Sequence, residues 1–136
     1  IDYRDWQVPL GRRFRALKLW FVLRSYGLEG LRALVRCHIE LARSFAQWVR
    51  DDDDFELAAP PSLNLVCFRH RAGDDFNEKL LHEVNRSGKV YLSHTRLDGR
   101  YVLRLCVGQT HTEERHVKGA WRMLRETAQR TVNSES

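Results

Sequence analysis

The sequence predicts an α+β domain in which a small, mostly antiparallel sheet is covered by helices on one face. Three observations carry this. Apolar residues recur at three-and-four spacing over residues 28–50, over 74–87 and from about 112 onward. Between these stretches lie short runs rich in strand-forming residues, broken by Pro60-Pro61 and by the pair Asp98-Gly99. Finally, 136 residues, 43% hydrophobic and 30% charged, suffice for one compact core and exclude a disordered tail.

The elements follow in order. A first helix is expected over residues 10–26, with Pro9 where its missing N–H costs little and Gly27 as a left-handed cap. Phe14, Leu17, Leu19, Trp20, Phe21, Val22 and Leu23 make it apolar nearly all round, so it requires burial on more than one side. A second helix is expected over 28–50, where Leu31, Leu34, Val35, His38, Leu41, Ala42, Phe45, Trp48 and Val49 share a face. His38 on that stripe reads as a hydrogen-bonded core imidazole. The run Asp51 to Asp54 beside the negative helix end stops the helix in a solvated loop. Strands are expected over 55–58 and 63–69, then a helix over 74–87 burying Phe76, Leu80, Leu81 and Val84 and ending at Gly88. A hairpin should run through 90–97, turn at Asp98-Gly99 and return through 101–107. The last helix should be capped by Thr112, bury Val117, Ala120, Trp121, Leu124 and Ala128, and fray after Arg130.

Charge narrows the function classes. The formal charge is +5, and it resides in residues 1–50, with ten basic against four acidic side chains, whereas 51–136 hold thirteen against fourteen. Arg12, Arg13, Arg15 and Lys18 form a basic turn that is either a solvated helix start or a place for phosphate or carboxylate. No aromatic stripe accompanies basic residues, so no nucleic-acid partner is expected. No apolar run approaches the roughly 20 residues that span a bilayer, so no membrane partner is expected either. Cys37, Cys67 and Cys106 match neither a disulfide framework nor a zinc module and read as reduced, buried thiols of a cytoplasmic protein. Ile1 is not an initiator methionine, so the chain is expected to be a piece of something longer.

Chemical motifs are scarce. His111 and His116 stand five apart, whereas two ligands on one helix face want three or four, so no metal site is expected. There is no Gly-x-Ser-x-Gly turn, no cysteine with a local histidine partner for nucleophilic catalysis and no glycine-rich phosphate loop. By itself the chain does not read as a complete enzyme.

The run Asp2-Tyr3-Arg4-Asp5-Trp6-Gln7-Val8-Pro9-Leu10-Gly11-Arg12-Arg13-Phe14-Arg15-Ala16-Leu17-Lys18-Leu19-Trp20-Phe21 closely resembles a segment of the group II pyridoxal-phosphate-dependent decarboxylases, most of all the aromatic-L-amino-acid decarboxylases. The resemblance continues through Tyr26-Gly27-Leu28-Glu29-Gly30-Leu31-Arg32, Leu65-Val66-Cys67-Phe68-Arg69, Tyr101-Val102-Leu103-Arg104 and the final helix with Trp121. It implies that residues 1–27 follow the mobile active-site loop and join the large domain, and that residues 28–136 resemble the C-terminal small domain of fold-type I enzymes of this cofactor. The parent would be a cytoplasmic homodimeric lyase converting an aromatic L-amino acid to its amine and CO2. Pyridoxal 5'-phosphate would be bound mainly by the missing upstream domain, so neither catalytic nor cofactor-binding residues are assigned in this chain. For the isolated chain, enzyme status stays open. The alternative is a non-catalytic binding or scaffold module with the same small-domain fold.

Carried over position by position, the resemblance puts Leu10 and Gly11 at the wall of the substrate pocket. The small Gly11 leaves room for a phenol, catechol or indole, where animal histidine decarboxylases carry serine. Arg4 matches an arginine near the active site. Arg12 matches the arginine that pairs with a substrate carboxylate in glutamate decarboxylases, a structural ion pair being the other reading. Arg13, Arg15 and Lys18 match the motif as packing and interdomain contacts.

Overall fold

The computed structural model describes residues 14–135. In chain order they form α1 (Arg15–Arg50), β1 (Phe55–Leu57), β2 (Leu65–His70), α2 (Asp74–Arg86), β3 (Ser93–Leu97), β4 (Arg100–Cys106) and α3 (Glu114–Glu135). The chain divides into two compact units, Ile1–Ala33 and Leu34–Ser136.

In the first unit the described part of α1 is interrupted at Gly27, whose φ of 66° and ψ of 169° are not helical. The expected left-handed helical cap is therefore corrected: the φ is positive, but the ψ belongs to a region essentially reserved for glycine. The apolar residues before it stand exposed, Phe14 at 73% and Leu19 at 61%.

The second unit is the α+β body. Its four strands run in the order β1-β2-β4-β3, every neighbouring pair antiparallel. Alternation sorts the side chains. Val66, Phe68 and His70 of β2 point to one side with Tyr101, Leu103 and Leu105 of β4, while Cys67, Arg69, Arg100, Arg104 and Cys106 take the other. On the first side lie the buried faces of the helices: Leu41, Ala42, Phe45, Ala46 and Val49 of α1, Phe76, Leu80, Leu81 and Val84 of α2, and Val117, Leu124 and Ala128 of α3. Phe45 sits at the centre, fully buried and edge-to-face with Phe68 at 5.1 Å and with Trp121 at 5.5 Å. Such ring pairs add about 0.5–1.5 kcal/mol beyond area burial.

The same alternation corrects the cysteine expectation. Cys37 and Cys106 are exposed and Cys67 is half-buried, all three as free thiols. Cys67 and Cys106 alternate with core residues and so fall on the face away from the helices, and Cys37 lies one residue off the buried stripe of α1. Val35, expected on that stripe, is 55% exposed.

Local hydrogen bonds decide the element boundaries. β2 starts two residues late because Ser62 and Leu65 exchange backbone bonds of 3.1 and 2.9 Å around Leu63, whose φ is 50°. β3 starts at Ser93 because Asn85 of α2 takes both backbone groups of Leu92, accepting its N–H at 2.8 Å and donating to its carbonyl at 2.9 Å. The hairpin turns at Asp98 (φ 50°) and Gly99 (φ 79°), the two positive angles of a type I′ loop, with Leu97 opposite Arg100. α3 begins at Glu114 without Thr112 as its cap. Instead the Glu113 N–H donates to Nδ1 of His116 at 3.0 Å, a side chain reaching back as in a capping box. Its far end is helical to Glu135, past the expected fraying point, where the Thr131 hydroxyl donates to the Thr127 carbonyl at 2.9 Å.

Candidate functional site

The residues expected to line a substrate pocket or approach it, Arg4, Leu10, Gly11 and Arg12, lie outside the described residues, as does Arg13. The exposed apolar part of α1 comes directly after them in the chain. Trp20 and Phe21 meet edge-to-face at 5.1 Å, and the Arg24 guanidinium lies 5.9 Å from the centre of the Trp20 ring. Leu19, Trp20, Phe21 and Leu28 are all more than half exposed, an apolar surface that calls for cover.

In the second unit, charged groups gather where β1, β2 and the start of α2 meet. Arg69 of β2 is 6% exposed. Its Nη2 lies 3.2 Å from Oδ1 of Asp74 and its Nε 3.8 Å from Oε1 of Glu56. Glu56 also faces Nη1 of Arg71 at 2.7 Å and of Arg100 at 3.7 Å, and Asp74 faces Nη1 of Arg96 at 3.3 Å. Four arginines thus share two carboxylates. The Tyr101 backbone N–H, with Arg69 and Arg96 beside it, holds the Asp74 carboxyl below the ordinary aspartate value despite some desolvation. Arginine does not release its proton at physiological pH, so the group orders the sheet end and is unsuited to general acid or base work. Sequence reasoning missed this network, and its signal was an arginine inside the apolar run of β2.

Among the described residues, the clefts of this unit include the following two. One, of about 280 Å³, is lined by Asp52, Asp54, Phe55, His70, Arg125 and Gln129 among others. Asp52, expected in a solvated loop, has a side chain only 11% exposed and pairs with Nε of Arg125 at 2.9 Å. The other, of about 480 Å³, lies between Ile39, Arg43, Gln47 and Arg50 of α1 and Pro61 and Leu63. Neither is lined by a lysine, cysteine or serine. Among the described residues no group of three metal-ligating side chains comes together, and no helix is long and apolar enough to cross a membrane. His38 is buried as expected, but among the described residues its Nε2 has no hydrogen-bond partner, so the expected satisfied imidazole is corrected on that atom.

Comparison with known proteins brings these features together. Residues 1–71 match the pyridoxal-dependent decarboxylase conserved domain. This chain belongs to that decarboxylase family. Tryptophan decarboxylase 2 of Oryza sativa subsp. japonica is 48% identical to it over 139 residues, covering 97% of this chain and 28% of the relative. A phenylacetaldehyde synthase of Arabidopsis thaliana is 50% identical over 135 residues, covering 94% of this chain and 28% of the relative. The crystal structure of Oryza sativa TDC with PLP and tryptamine superposes with a TM-score of 0.85 at 42% identity, covering 96% of this chain and 30% of that one. The chain therefore spans about 28% of the length of these relatives, and its antiparallel sheet with helices on one face is a fold found within such structures.

Proposed function

We propose that this chain is the C-terminal part of a pyridoxal-phosphate-dependent carboxy-lyase that converts an aromatic L-amino acid to its amine and CO2. The observation that carries the reading is 48% identity to a tryptophan decarboxylase across 97% of the chain. In this reading residues 1–27 join the part to the large domain and residues 28–136 are the small domain. The parent is a cytoplasmic homodimer, and the exposed apolar surface of Leu19, Trp20, Phe21 and Leu28 is covered by the remainder of the assembly.

The two clefts described above do not fit a pyridoxal phosphate site. Neither cleft offers a lysine, and Lys118 pairs with Glu114 at 2.9 Å on the surface of α3. The group belongs to the rest of the enzyme, where it supplies the electron sink for loss of the carboxylate. This chain contributes shape and exclusion. Leu10 and Gly11 wall the pocket, Gly11 admitting an aromatic ring because it brings no side chain. Arg12 and Arg4 bring positive charge near the substrate. The helix after them anchors the segment, which helps keep water from the reacting centre.

The test is expression of the complete subunit and assay with tryptophan, tyrosine, DOPA and histidine, measuring amine, aldehyde and CO2. Amine formation from an aromatic substrate is expected, with Gly11→Ser lowering the aromatic rates relative to histidine. A complete subunit that binds pyridoxal phosphate but turns over none of the aromatic substrates would overturn the reading. Unchanged relative rates in Gly11→Ser would remove Gly11 as a selectivity position.

A further inference from the structure

His70 closes β2 and is 6% exposed. Its Nδ1 accepts the Ala72 backbone N–H at 3.1 Å, inside the turn that leads into α2. Phe76 stacks on the ring at 4.3 Å and Phe55 meets it edge-on at 4.9 Å. The ring also lines the cleft shared with Asp54 and Asp52 of the loop after α1 and Arg125 of α3. β1 and α2 pack the uncharged rings of Phe55 and Phe76 against it, and the neutral Asn77 of α2 accepts the His70 backbone N–H.

An imidazole nitrogen that accepts a hydrogen bond carries no proton, so the neutral ring holds its hydrogen on Nε2. A second proton can only go to Nδ1, where it competes with the Ala72 N–H for one lone pair. We propose that His70 is a proton-operated latch on the turn between β2 and α2. A proton taken from solvent forms the Nδ1–H bond and the Ala72 N–H loses its acceptor, so the turn loosens at Ala72 while Asp54 still holds the Arg71 N–H and Asn77 the Gly73 carbonyl. The imidazolium is then drawn toward Asp54 and Asp52. Burial holds the His70 pKa below the ordinary 6.5, with Asp54 and then Asp52 partly offsetting this, so the latch is closed at neutral pH and opens on the acid side.

NMR titration of the 136-residue chain, carrying Leu19→Gln, Trp20→Gln and Phe21→Gln to keep the exposed apolar row from associating, tests this without a ligand. At neutral pH a through-hydrogen-bond coupling is expected between the Ala72 nitrogen and Nδ1 of His70. On acidification the coupling should vanish and the Ala72 amide proton should shift with the midpoint of the His70 ring, below 6.5. His70→Asn places an oxygen near the Nδ1 position that cannot titrate, so its Ala72 amide should stay bonded and lose the pH response. An Ala72 amide that keeps its shift while the His70 ring titrates would overturn the proposal. So would a response in His70→Asn with the midpoint seen when His70 is intact. If His70→Asn does not fold, the titration with His70 intact decides alone.

Discussion

Asn77 holds both backbone groups of His70: its Oδ1 accepts the His70 N–H at 2.8 Å and its Nδ2 donates to the His70 carbonyl at 2.8 Å. The same Nδ2 reaches the Gly73 carbonyl at 2.6 Å, and the residue is fully buried. One side chain from α2 therefore takes the place of a neighbouring strand at the end of β2.

Removing that side chain leaves buried backbone groups without partners. Asn77→Ala is expected to lower stability by about 2–4 kcal/mol, since each unsatisfied buried group costs about 1–3 kcal/mol. Asn77→Leu fills the space without restoring the bonds and should do no better. Urea unfolding at neutral pH measures both, and a loss below about 1 kcal/mol in each would show that the clasp is dispensable.

Asp74 sets an acid limit. Its carboxyl is held below the ordinary 3.8, mainly by the Tyr101 N–H, so the folded chain binds that proton less readily than the unfolded chain. Its contribution is present above pH 3.8 and is lost as pH falls through the lower folded value. Asp74→Asn is expected to be less stable than wild type at neutral pH and to show a smaller loss between about pH 4 and about pH 2. Urea midpoints across that range check the sign, and equal slopes for the two proteins would exclude it.

At Gly27 nothing lies within 4 Å of where a Cβ would stand, so the obstacle to a side chain is the backbone conformation alone. Holding alanine at φ 66° and ψ 169° would cost on the order of 1–3 kcal/mol. Gly27→Ala should therefore take helical angles and make α1 continuous. Cα chemical shifts at residues 26–28 would turn helical, whereas unchanged shifts at undiminished stability would contradict the argument.

The exposed row Leu19, Trp20 and Phe21 predicts association of the isolated chain. Sedimentation velocity should show weight-average mass rising with concentration. The combined variant Leu19→Gln, Trp20→Gln, Phe21→Gln should sediment as a monomer. A wild-type chain that stays monomeric at high concentration would speak against any need for cover.

The sequence made the α+β order legible because each helix carries its own period: Phe45 and Val49 on α1, Leu80 and Val84 on α2, Val117 and Leu124 on α3 all occupy the buried faces expected of them. The Asp98-Gly99 hairpin was equally readable, since both residues suit the positive φ that a two-residue loop demands. Misplaced boundaries came from side chains that take over backbone groups at a distance. Asn85 claims Leu92 seven residues away, and a pattern of apolar residues does not register such a bond. Partners far apart in sequence were likewise hidden: Arg125 and Asp52 are each ordinary surface residues until the fold places them 2.9 Å apart. The proposed placing of Leu10 and Gly11 at a pocket wall rests on family resemblance alone, because neither residue has chemistry that spacing could reveal, and both lie outside the described residues.

The hairpin loop also gives the chain a chemical clock. Asp98 is exposed and is followed by a glycine, which leaves the next backbone nitrogen unshielded by any side chain. Attack of that nitrogen on the Asp98 carboxyl forms a cyclic imide, and its hydrolysis yields an isoaspartyl linkage of unchanged mass with one extra carbon in the main chain. In a loop of two residues that carbon cannot be absorbed at a distance, so ageing at this bond would press directly on the pairing of Leu97 with Arg100.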